Sequence, residues 1–379
     1  MEIKRVVFGT RVCVNSSYST TRESSMPTKT RKAKKAKKGS QVRTYTLKAT
    51  LTNDEIEAKE GTYFDGKGFT IIDHDADVYG LSPDGTKQLL AKFRKAVFDK
   101  PITDLAWESF YRLAAPSRSR GAAAGPIDPK SEYWKKRKIV ENKGWWATYK
   151  NGNKTSKMRV NNTVFSSVVG YFEKTPFMKL PCRLTSYTQT FFDEYKKGIP
   201  FIQAIDKVFK QLTPGPYQKQ LDRIKKTPKY RIDDTAFSSV TVNRNFRTAL
   251  HQDAGDFKDG YGNLTVLERG KYQGGYTLFP QFSVGFDLRM GDFLAMDVHQ
   301  WHCNTEMFET PEDKAFNKTL EPIKYYKTKT GAQGSDKAFS RISFVCYVRE
   351  GLADCDAKET DKYYKRIGFE PTIHTDTSA

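Results

Sequence analysis

Residues 240–257, VTVNRNFRTALHQDAGDF, contain the pattern that decides the fold. Within them, one residue separates His251 from Asp253, and side chains at i and i+2 of a strand point to the same face. An imidazole and a carboxylate that share a face can bind one metal ion. The β-rich run at 237–243 leads into this pair. The stretch therefore predicts a strand that carries metal ligands into a β-structured core.

A second histidine, about fifty residues later on a returning strand, can complete a facial triad of two histidines and one carboxylate. Such a triad leaves three coordination positions open and suits non-haem Fe(II). The stretch 291–296, GDFLAM, is typical of a turn that enters a buried strand, and His302 follows it. His299 lies near the same position, and we prefer His302 because of its distance from Gly291. The predicted metal-binding and catalytic residues are His251, Asp253 and His302.

A third pattern lies further along the chain, where Arg341 and Ser343 open the apolar run 342–348. An arginine two residues before a serine on a strand can bind a carboxylate with its forked guanidinium while the hydroxyl contacts the same oxygens. HxD, then GD with a following histidine, then RxS is the pattern of double-stranded β-helix oxygenases that use 2-oxoglutarate. The order and spacing of these motifs favour such an enzyme over a chance HxD.

Four stretches carry a closer resemblance: 237–241 (FSSVT), 240–257, 262–280 (GNLTVLERGKYQGGYTLFP) and 291–305 (GDFLAMDVHQWHCNT). They resemble the catalytic core of the TET/JBP superfamily, and within it the algal and viral branch. These dioxygenases oxidise the methyl group of 5-methylcytosine or thymine in nucleic acid. The resemblance covers about residues 237–348. It implies an iron(II) site on the predicted triad, O2 as oxidant, and Arg341 as the anchor for the C5 carboxylate of 2-oxoglutarate.

The cosubstrate has an alternative, because Asp256 extends the metal motif to HxDxxD. A similar extra aspartate occurs in an algal member of the superfamily that consumes ascorbate in place of 2-oxoglutarate. Arg341 and Ser343 favour 2-oxoglutarate, and Asp256 keeps ascorbate as the alternative. The predicted cofactor-binding residues are Arg341, Ser343, Asn243 and Asp256.

Asn243 is included because strand alternation would place it on the face of the metal ligands, together with Asn245 and Arg247, if the strand runs unbroken. These side chains would then hold the cosubstrate or hydrogen-bond a flipped base. The alternative is a polar strand end whose hydrogen bonds are satisfied locally.

The order of elements predicts an α+β fold with a double-stranded β-helix (jelly-roll or cupin-like) core supported by helices. Helical periodicity is expected at 86–98, and a helical region at 186–212 with a break near residues 198–200. The expected organisation is a disordered basic tail at 1–44, a helical or mixed support region at 45–236, the dioxygenase core at 237–350 with a charged insertion at 303–339, and a C-terminal extension at 351–379.

The formal charge of +20, from 64 Lys and Arg against 44 Asp and Glu, favours a polyanionic partner. Seven of the ten residues at 29–38 are Lys or Arg, which suits a nuclear localisation signal, a non-specific DNA arm or a solvated tail. DNA is the expected partner, with RNA as the alternative. Localisation is expected to be nuclear or, for a viral protein, inside the host cell, with organelle targeting also open. No feature indicates an oligomeric state.

The segment 130–162 interleaves basic residues with aromatic ones, including Trp145 and Trp146, and such a surface suits nucleic acid. The alternative is that the tryptophans belong to the core. The five cysteines are scattered, so neither a disulfide framework nor a thiolate zinc site is predicted, and a reducing intracellular environment is expected. No apolar run approaches the ~20 residues that span a bilayer.

Two other classes of function remain open from the sequence. A protein or small-molecule hydroxylase would use the same iron site without binding DNA. A non-catalytic DNA-binding protein would keep the positive charge and bind no iron, and a complete set of metal ligands argues against it.

Overall fold

A long mixed sheet with helices on one face and a smaller sheet on the other forms the frame of the protein. The computed structural model describes residues 41–81, 85–112, 114–151, 154–155, 159–324, 335–336 and 338–371. Most of the expected basic tail at 1–44 lies outside these residues, and so does part of the insertion at 303–339. Within the described part of the chain, no helix is long and apolar enough to cross a membrane.

The strands in these residues are β1 (Arg43–Lys48), β2 (Thr70–Ile72), β3 (Ala76–Leu81), β4 (Lys87–Arg94), β5 (Pro116–Ser117), β6 (Lys138–Asn142), β7 (Ala147–Asn151), β8 (Lys154–Thr155), β9 (Val164–Phe172), β10 (Arg183–Leu184), β11 (Ser239–Arg244), β12 (Gly262–Arg269), β13 (Gln273–Gly274), β14 (Thr277–Phe279), β15 (Val284–Phe286), β16 (Phe293–Met296), β17 (Cys303–Asn304), β18 (Met307–Phe308), β19 (Ile323–Lys324), β20 (Ser335–Asp336) and β21 (Ser340–Tyr347). The helices are α1 (Asn53–Glu57), α2 (Lys100–Phe110), α3 (Glu132–Lys135), α4 (Ser186–Thr190), α5 (Phe192–Leu212), α6 (Pro214–Lys225), α7 (Pro311–Lys318) and α8 (Ala357–Ile367).

The main sheet has the order β1-β3-β4-β16-β12-β21-β11-β9-β10, and β5 also pairs with β9. The smaller sheet has the order β17-β14-β15-β2. Its strands β14 and β15 share a buried apolar cluster with β4, β12 and β16 of the main sheet. Two facing sheets with a core between them agree with the predicted α+β fold and its double-stranded β-helix core, and that prediction is confirmed.

Helices α2 and α5 cover the other face of the main sheet, and strand alternation separates the two faces cleanly. Along β21, the side chains of Ile342 and Phe344 join the core beneath these helices. Arg341 and Ser343, which alternate with them, line a cavity on the opposite face. The apolar positions of β21 therefore fix its register, and this register points the polar positions into the cavity.

The region before the expected core contributes strands to the same main sheet. Strands β1, β3 and β4 extend the sheet beyond β16, and β9 and β10 extend it beyond β11. The residues at 45–236 are thus mixed in structure, and they complete the sheet on both sides of the strands at 237–350.

The helix predicted at 86–98 is wrong, because the structure has strand β4 at Lys87–Arg94. Leu90, Ala91 and Phe93 are all fully buried between the two sheets. The run contains apolar residues at both helical and strand spacings, so periodicity alone does not decide between them. Pairing of β4 with β3 on one side and β16 on the other decides in favour of a strand.

The break predicted near residues 198–200 is also wrong. Helix α5 runs from Phe192 to Leu212 with Pro200 inside it, and the actual interruption separates α4 from α5 at Phe191. An internal proline costs about 3 kcal/mol through its missing N–H and its ring. Fully buried side chains along α5, among them Phe201 and Ile202, offset that cost by roughly 2 kcal/mol each.

A disulfide joins Cys182 to Cys355, with 5.8 Å between their Cα atoms. It links the segment before β10 to the segment before α8. The expectation of no disulfide framework did not include this pair, because the two cysteines lie 173 residues apart and only the fold brings them together. Cys303 and Cys346 are buried as free thiols.

Candidate iron site and active-site cavity

The side chains of His251 and His302 lie next to each other because their backbones form an antiparallel bridge. The N–H of each histidine donates to the carbonyl of the other, with both N–O distances at 3.0 Å. The two ring centroids are 4.3 Å apart. Two residues that are distant in sequence are therefore fixed as neighbours by the backbone itself.

Both imidazoles are oriented by carbonyl groups of the backbone. Nδ1 of His251 lies 2.8 Å from the oxygen of Ala249, and Nδ1 of His302 lies 2.8 Å from that of Gln300. Because a carbonyl only accepts, each Nδ1 donates, and each Nε2 keeps its lone pair free. These Nε2 atoms lie 3.5 Å and 3.9 Å from the carboxylate oxygens of Asp253.

The electrostatics of this cluster favour the protonation states that bind a metal. Burial, and after it the adjacent His251, lowers the pKa of His302 to about 4. Burial alone would raise the pKa of Asp253, but the interactions of its carboxylate with His251 and His302 bring it down to about 2. At neutral pH the cluster thus offers a neutral imidazole at His302 and a carboxylate at Asp253, the forms in which these groups are metal ligands.

Among the described residues, His251, Asp253 and His302 are the one cluster of three such groups whose ligand atoms all lie within 4.8 Å of one another. Two nitrogens and one carboxylate, with a cavity beside them, fit the donor set and the open positions of a facial Fe(II) triad.

The alternative histidine, His299, is held elsewhere. Its Nδ1 lies 3.2 Å from Oδ1 of Asp297, and this hydrogen bond raises the pKa of His299. The structure places His302, rather than His299, beside the other two predicted ligands.

A cavity of about 600 Å³ opens from the metal cluster and runs along the inner face of β11 and β21. Its walls include side chains from β9, β11, β12 and β21 and from the loop before the 3₁₀ turn Gly121–Ala124. The predicted residues that line it are His251, Asp253, His302, Arg341, Ser343, Asn243 and Asp256.

Arg341 is buried in this cavity with donors that lack partners. The residue is 3% exposed, and its Nε and Nη2 atoms make no hydrogen bond within the described structure. Its backbone is fixed on both sides by Asn245, whose N–H donates to the Arg341 carbonyl and whose Oδ1 accepts from the Arg341 N–H. Leaving a buried charged donor unpaired is costly, so this guanidinium fits an anionic ligand such as a carboxylate. Ser343 lines the same wall two residues later.

Asn243 and Asp256 lie in different parts of the cavity. Asn243 is the register partner of Ser343 on the neighbouring strand, and its Oδ1 accepts a hydrogen bond from the Ser166 hydroxyl. The backbone of Asp256 forms an isolated antiparallel β-bridge with that of Arg349. Burial raises the pKa of Asp256, and the negative charge of Asp253 raises it further.

The expectation that Asn245 and Arg247 would face the metal ligands is wrong, because the strand does not run unbroken. Strand β11 ends at Arg244, and Asn245 has a left-handed backbone with φ of 44°. Arg247 instead lies over the ring of Tyr63 at 4.3 Å and pairs with Glu306.

Three further cavity residues were not predicted from the sequence. Thr241 and Tyr347 continue the inward-facing series of Asn243 and Ser343, and strand alternation could have identified both. Arg120 comes from a loop far outside the metal motifs, and no periodicity in the sequence points to it.

The tryptophans of the segment at 130–162 are divided between core and cavity. Trp134 is 2% exposed and packs in a small cluster with Ile127 and Ala147, and Trp146 is also buried. Trp145 lines the cavity. For Trp134 and Trp146 the core reading is therefore correct.

Comparison with known proteins shows that part of the chain is similar to one family. The family model Tet_JBP, described as the oxygenase domain of the 2OGFeDO superfamily, matches residues 167–350. The bifunctional helicase and thymine dioxygenase JBP2 of Leishmania major is 30% identical over 214 residues, which are 56% of this chain and 17% of that protein. The thymine dioxygenase JBP1 of Trypanosoma brucei brucei is 35% identical over 178 residues, 46% of this chain and 21% of that protein.

The chain thus spans about a fifth of the length of these curated relatives. Among solved structures, NgTET1 in complex with 5mC DNA aligns with a TM-score of 0.43 and 11% identity, covering 77% of this chain and 84% of that one. The JBP2 and JBP1 relatives come from Leishmania and Trypanosoma, and the likeness to an algal and viral branch stays a prediction.

Proposed function

Because residues 167–350 match the Tet_JBP oxygenase-domain model, we propose that this protein is an iron(II)-dependent dioxygenase that hydroxylates the methyl group of a base in DNA. The observation that carries the proposal is the convergence of His251, Asp253 and His302 beside a cavity. In this proposal the three side chains hold iron(II), and the cavity receives the cosubstrate and the target base.

The proposed cosubstrate is 2-oxoglutarate, with ascorbate as the alternative. Arg341 supports the first choice, since its buried Nε and Nη2 donors have no partner and a C5 carboxylate would satisfy them. The Ser343 hydroxyl, which lines the same cavity, would support the same carboxylate. Asp256, whose pKa burial raises, supports the second choice as a hydrogen-bonding group on the cavity wall.

Bound iron(II) would supply the oxygen chemistry that inserts a hydroxyl group into an unactivated C–H bond. The chain's own residues orient the ligands and shape the cavity. The carbonyls of Ala249 and Gln300 keep both Nε2 lone pairs directed at one point. Thr241 and Asn243 present a hydroxyl and an amide in the wall, where they can hydrogen-bond the polar edge of a base.

The proposed substrate class is a pyrimidine with a methyl group on C5, which means thymine or 5-methylcytosine. The activity for which the relatives are named, thymine dioxygenase, supports this class. A stacked base cannot reach an enclosed site, so the base must leave the duplex at a cost of a few kcal/mol. The formal charge of +20 would offset this cost through phosphate contacts.

A product assay tests the proposal. The protein is loaded with Fe(II) without oxygen and then incubated in air with DNA that contains thymine only, with DNA that also contains 5-methylcytosine, and with the matching RNA. Each substrate is tested with 2-oxoglutarate and with ascorbate, and the digested nucleosides are weighed by mass spectrometry. We expect a hydroxymethyl base with at least one DNA, and its absence under every condition would defeat the proposal.

A matched control separates this activity from adventitious oxidation by free iron. His251→Ala and Asp253→Ala remove proposed ligands and should abolish the product, whereas His299→Ala, outside the cluster, should retain it. Product formation by the first two variants would show that the metal is held elsewhere.

A further inference from the structure

Three arginines line the cavity, and they differ in what they contact. Arg349 forms an ion pair with Glu173. The free donors of Arg341 lie where we place the cosubstrate carboxylate. Arg120 also lines the cavity, yet its side chain makes no hydrogen bond or ion pair with any residue that the structure describes. A half-buried cation that makes no ion pair is poorly compensated, so an anionic ligand would stabilise it.

Two hydrogen bonds of the residues that follow Arg120 fix its loop. The N–H of Gly121, at φ of 55°, donates to Oδ1 of Asn161 at 3.0 Å. Two residues later, the carbonyl of Ala123 accepts from the N–H of Ala249, also at 3.0 Å, just before the first metal-site histidine. The loop that carries Arg120 is therefore attached directly to the metal-site backbone, although it lies outside the residues that match the family.

Arg120 lies at the opposite end of the cavity from Arg341. Burial lowers the pKa of the Arg120 guanidinium, and the nearby phenol of Tyr347 and carboxylate of Asp253 raise it. Tyr347 is at the far end of β21 from Arg341, and six residues of strand span about 20 Å. Arg120 therefore faces the side of the metal cluster away from the cosubstrate anchor, which is the side left for the substrate.

The chemistry of this wall suits a phosphate. Arginine stays charged under all ordinary conditions, and its planar fork matches the oxygens of a phosphate in pairs. The hydroxyls of Ser117 and Ser119 line the same wall and add donors. A nucleotide that swings its base toward the iron carries its own backbone phosphates to the rim of the cavity.

We propose that Arg120 binds a backbone phosphate of the nucleotide whose base enters the cavity, an inference that rests on the proposed function. The residue would select a nucleotide within a nucleic-acid strand over a free base or a small molecule. It would also compensate part of the energy of base flipping with a contact that exists only after flipping.

A double-mutant cycle on binding tests this directly. The metal-loaded protein is kept without oxygen in the presence of cosubstrate, so that no turnover occurs, and the Kd for a target oligonucleotide is measured by fluorescence anisotropy. The oligonucleotide is used unmodified, with a neutral methylphosphonate next to the target nucleotide on its 5′ or its 3′ side, or with the same group several nucleotides away. The proteins are wild type, Arg120→Ala, Arg120→Lys and Arg118→Ala.

We expect one of the two target methylphosphonates to weaken wild-type binding by about tenfold and to leave Arg120→Ala binding nearly unchanged. Arg120→Lys should restore part of the affinity for the unmodified strand. Arg118 is the matched control, because it is exposed on the same loop and lies over the ring of Tyr133 at 4.4 Å. Arg118→Ala should keep the full methylphosphonate effect.

Additive effects of the Arg120 substitution and both target methylphosphonates would overturn the inference, since they would mean that residue and phosphate do not touch. A raised KM for 2-oxoglutarate in Arg120→Ala, with slower consumption of it in the absence of DNA, would overturn it in favour of a cosubstrate contact. The nucleoside assay reports separately on the proposed function. If oxidised product forms but the effects on binding are additive, the inference about Arg120 is wrong and the proposed function stands.

Discussion

At the scale of single residues, two nearby histidines differ in the hydrogen bonds that hold them. His302 is tied to His251 through the backbone and has a free Nε2, whereas His299 is tied to Asp297. We predict that His302→Ala lowers affinity for a divalent metal by more than about 100-fold and that His299→Ala changes it by less than about threefold. Anaerobic titration with Co(II), followed by its visible absorption, measures both. Equal losses in the two variants would contradict the assignment.

The role of Arg341 makes a separate prediction. Arg341→Met should raise the KM for 2-oxoglutarate by roughly 10- to 100-fold, because one buried charge-assisted contact contributes about 1.5–3 kcal/mol. The KM for ascorbate should stay unchanged if ascorbate serves at all. Arg269→Met, on the neighbouring strand β12 and outside the cavity, is the control. An unchanged KM for 2-oxoglutarate in Arg341→Met would show that Arg341 does not bind the carboxylate.

The lowered pKa of His302 predicts how the metal-free protein responds to acid. The unfolded chain takes up this proton near pH 6.5 and the folded chain only near pH 4, so stability falls as the pH drops through this window. The loss should approach about 3 kcal/mol, and the slope should be reduced by up to one proton in His302→Leu. Urea unfolding from pH 4 to pH 7 in the presence of chelator measures the slope, and parallel slopes in both proteins would refute the prediction.

Much of the site was predictable at this scale, because HxD, the histidine after GD and RxS are local patterns with fixed chemical meanings. The positions of Asn245 and Arg247 were not. Their placement depended on whether β11 continued, and the left-handed backbone at Asn245 ended it. Arg120 was equally inaccessible, since only the folded chain brings its loop to Ala249.

At the scale of elements, the contact between helices α2 and α5 leads to a testable contrast between two glycines. A Cβ at Gly198 in α5 would lie 2.1 Å from Cζ of Phe110, whereas a Cβ at Gly215 in α6 would meet nothing within 4 Å. Helix propensity alone favours alanine over glycine at both sites by up to about 1 kcal/mol.

Packing reverses the sign at the first glycine. We predict that Gly198→Ala destabilises the protein by about 1–3 kcal/mol through overpacking, while Gly215→Ala stabilises it slightly. Urea unfolding of the two variants at one pH provides the measurement. Stabilisation by both substitutions would mean that α2 and α5 can move apart without cost.

Contacts between elements explain the two errors in the predicted secondary structure. Residues 86–98 satisfy both periodicities, and only the strands on either side of β4 select one of them. In α5, Pro200 suggested an end to the helix, but the apolar face of the helix is buried on both sides of the proline. In each case tertiary contacts, which are not encoded within a window of ten residues, outweighed the local preference.

At the scale of the whole molecule, positive charge is unevenly distributed along the chain. Residues 1–40 contain eleven Lys or Arg and two Glu, so nearly half of the net charge of +20 lies there. We predict that removing residues 1–40 lowers DNA affinity and makes the dependence of log Kd on log salt concentration shallower. The turnover rate on saturating DNA should change by less than about twofold, because the cavity lies within residues 41–371.

Salt titrations of binding and single-turnover kinetics, with the full chain as reference, provide the two readouts. A truncated protein with an unchanged salt dependence would place the DNA contacts on the remaining surface. A truncated protein with a much lower turnover rate would instead give the first forty residues a part in the reaction.

The backbone ahead of His251 has one more consequence. Leu250 exchanges hydrogen bonds with Gly61 and Thr62, and Ala249 bonds to Ala123, so partners from two distant parts of the chain hold the segment that enters the metal site. None of those contacts involves a ligand atom. Removal of iron by a chelator should therefore leave the backbone of the metal site in place. Added iron should bind again and restore catalysis without refolding of the polypeptide.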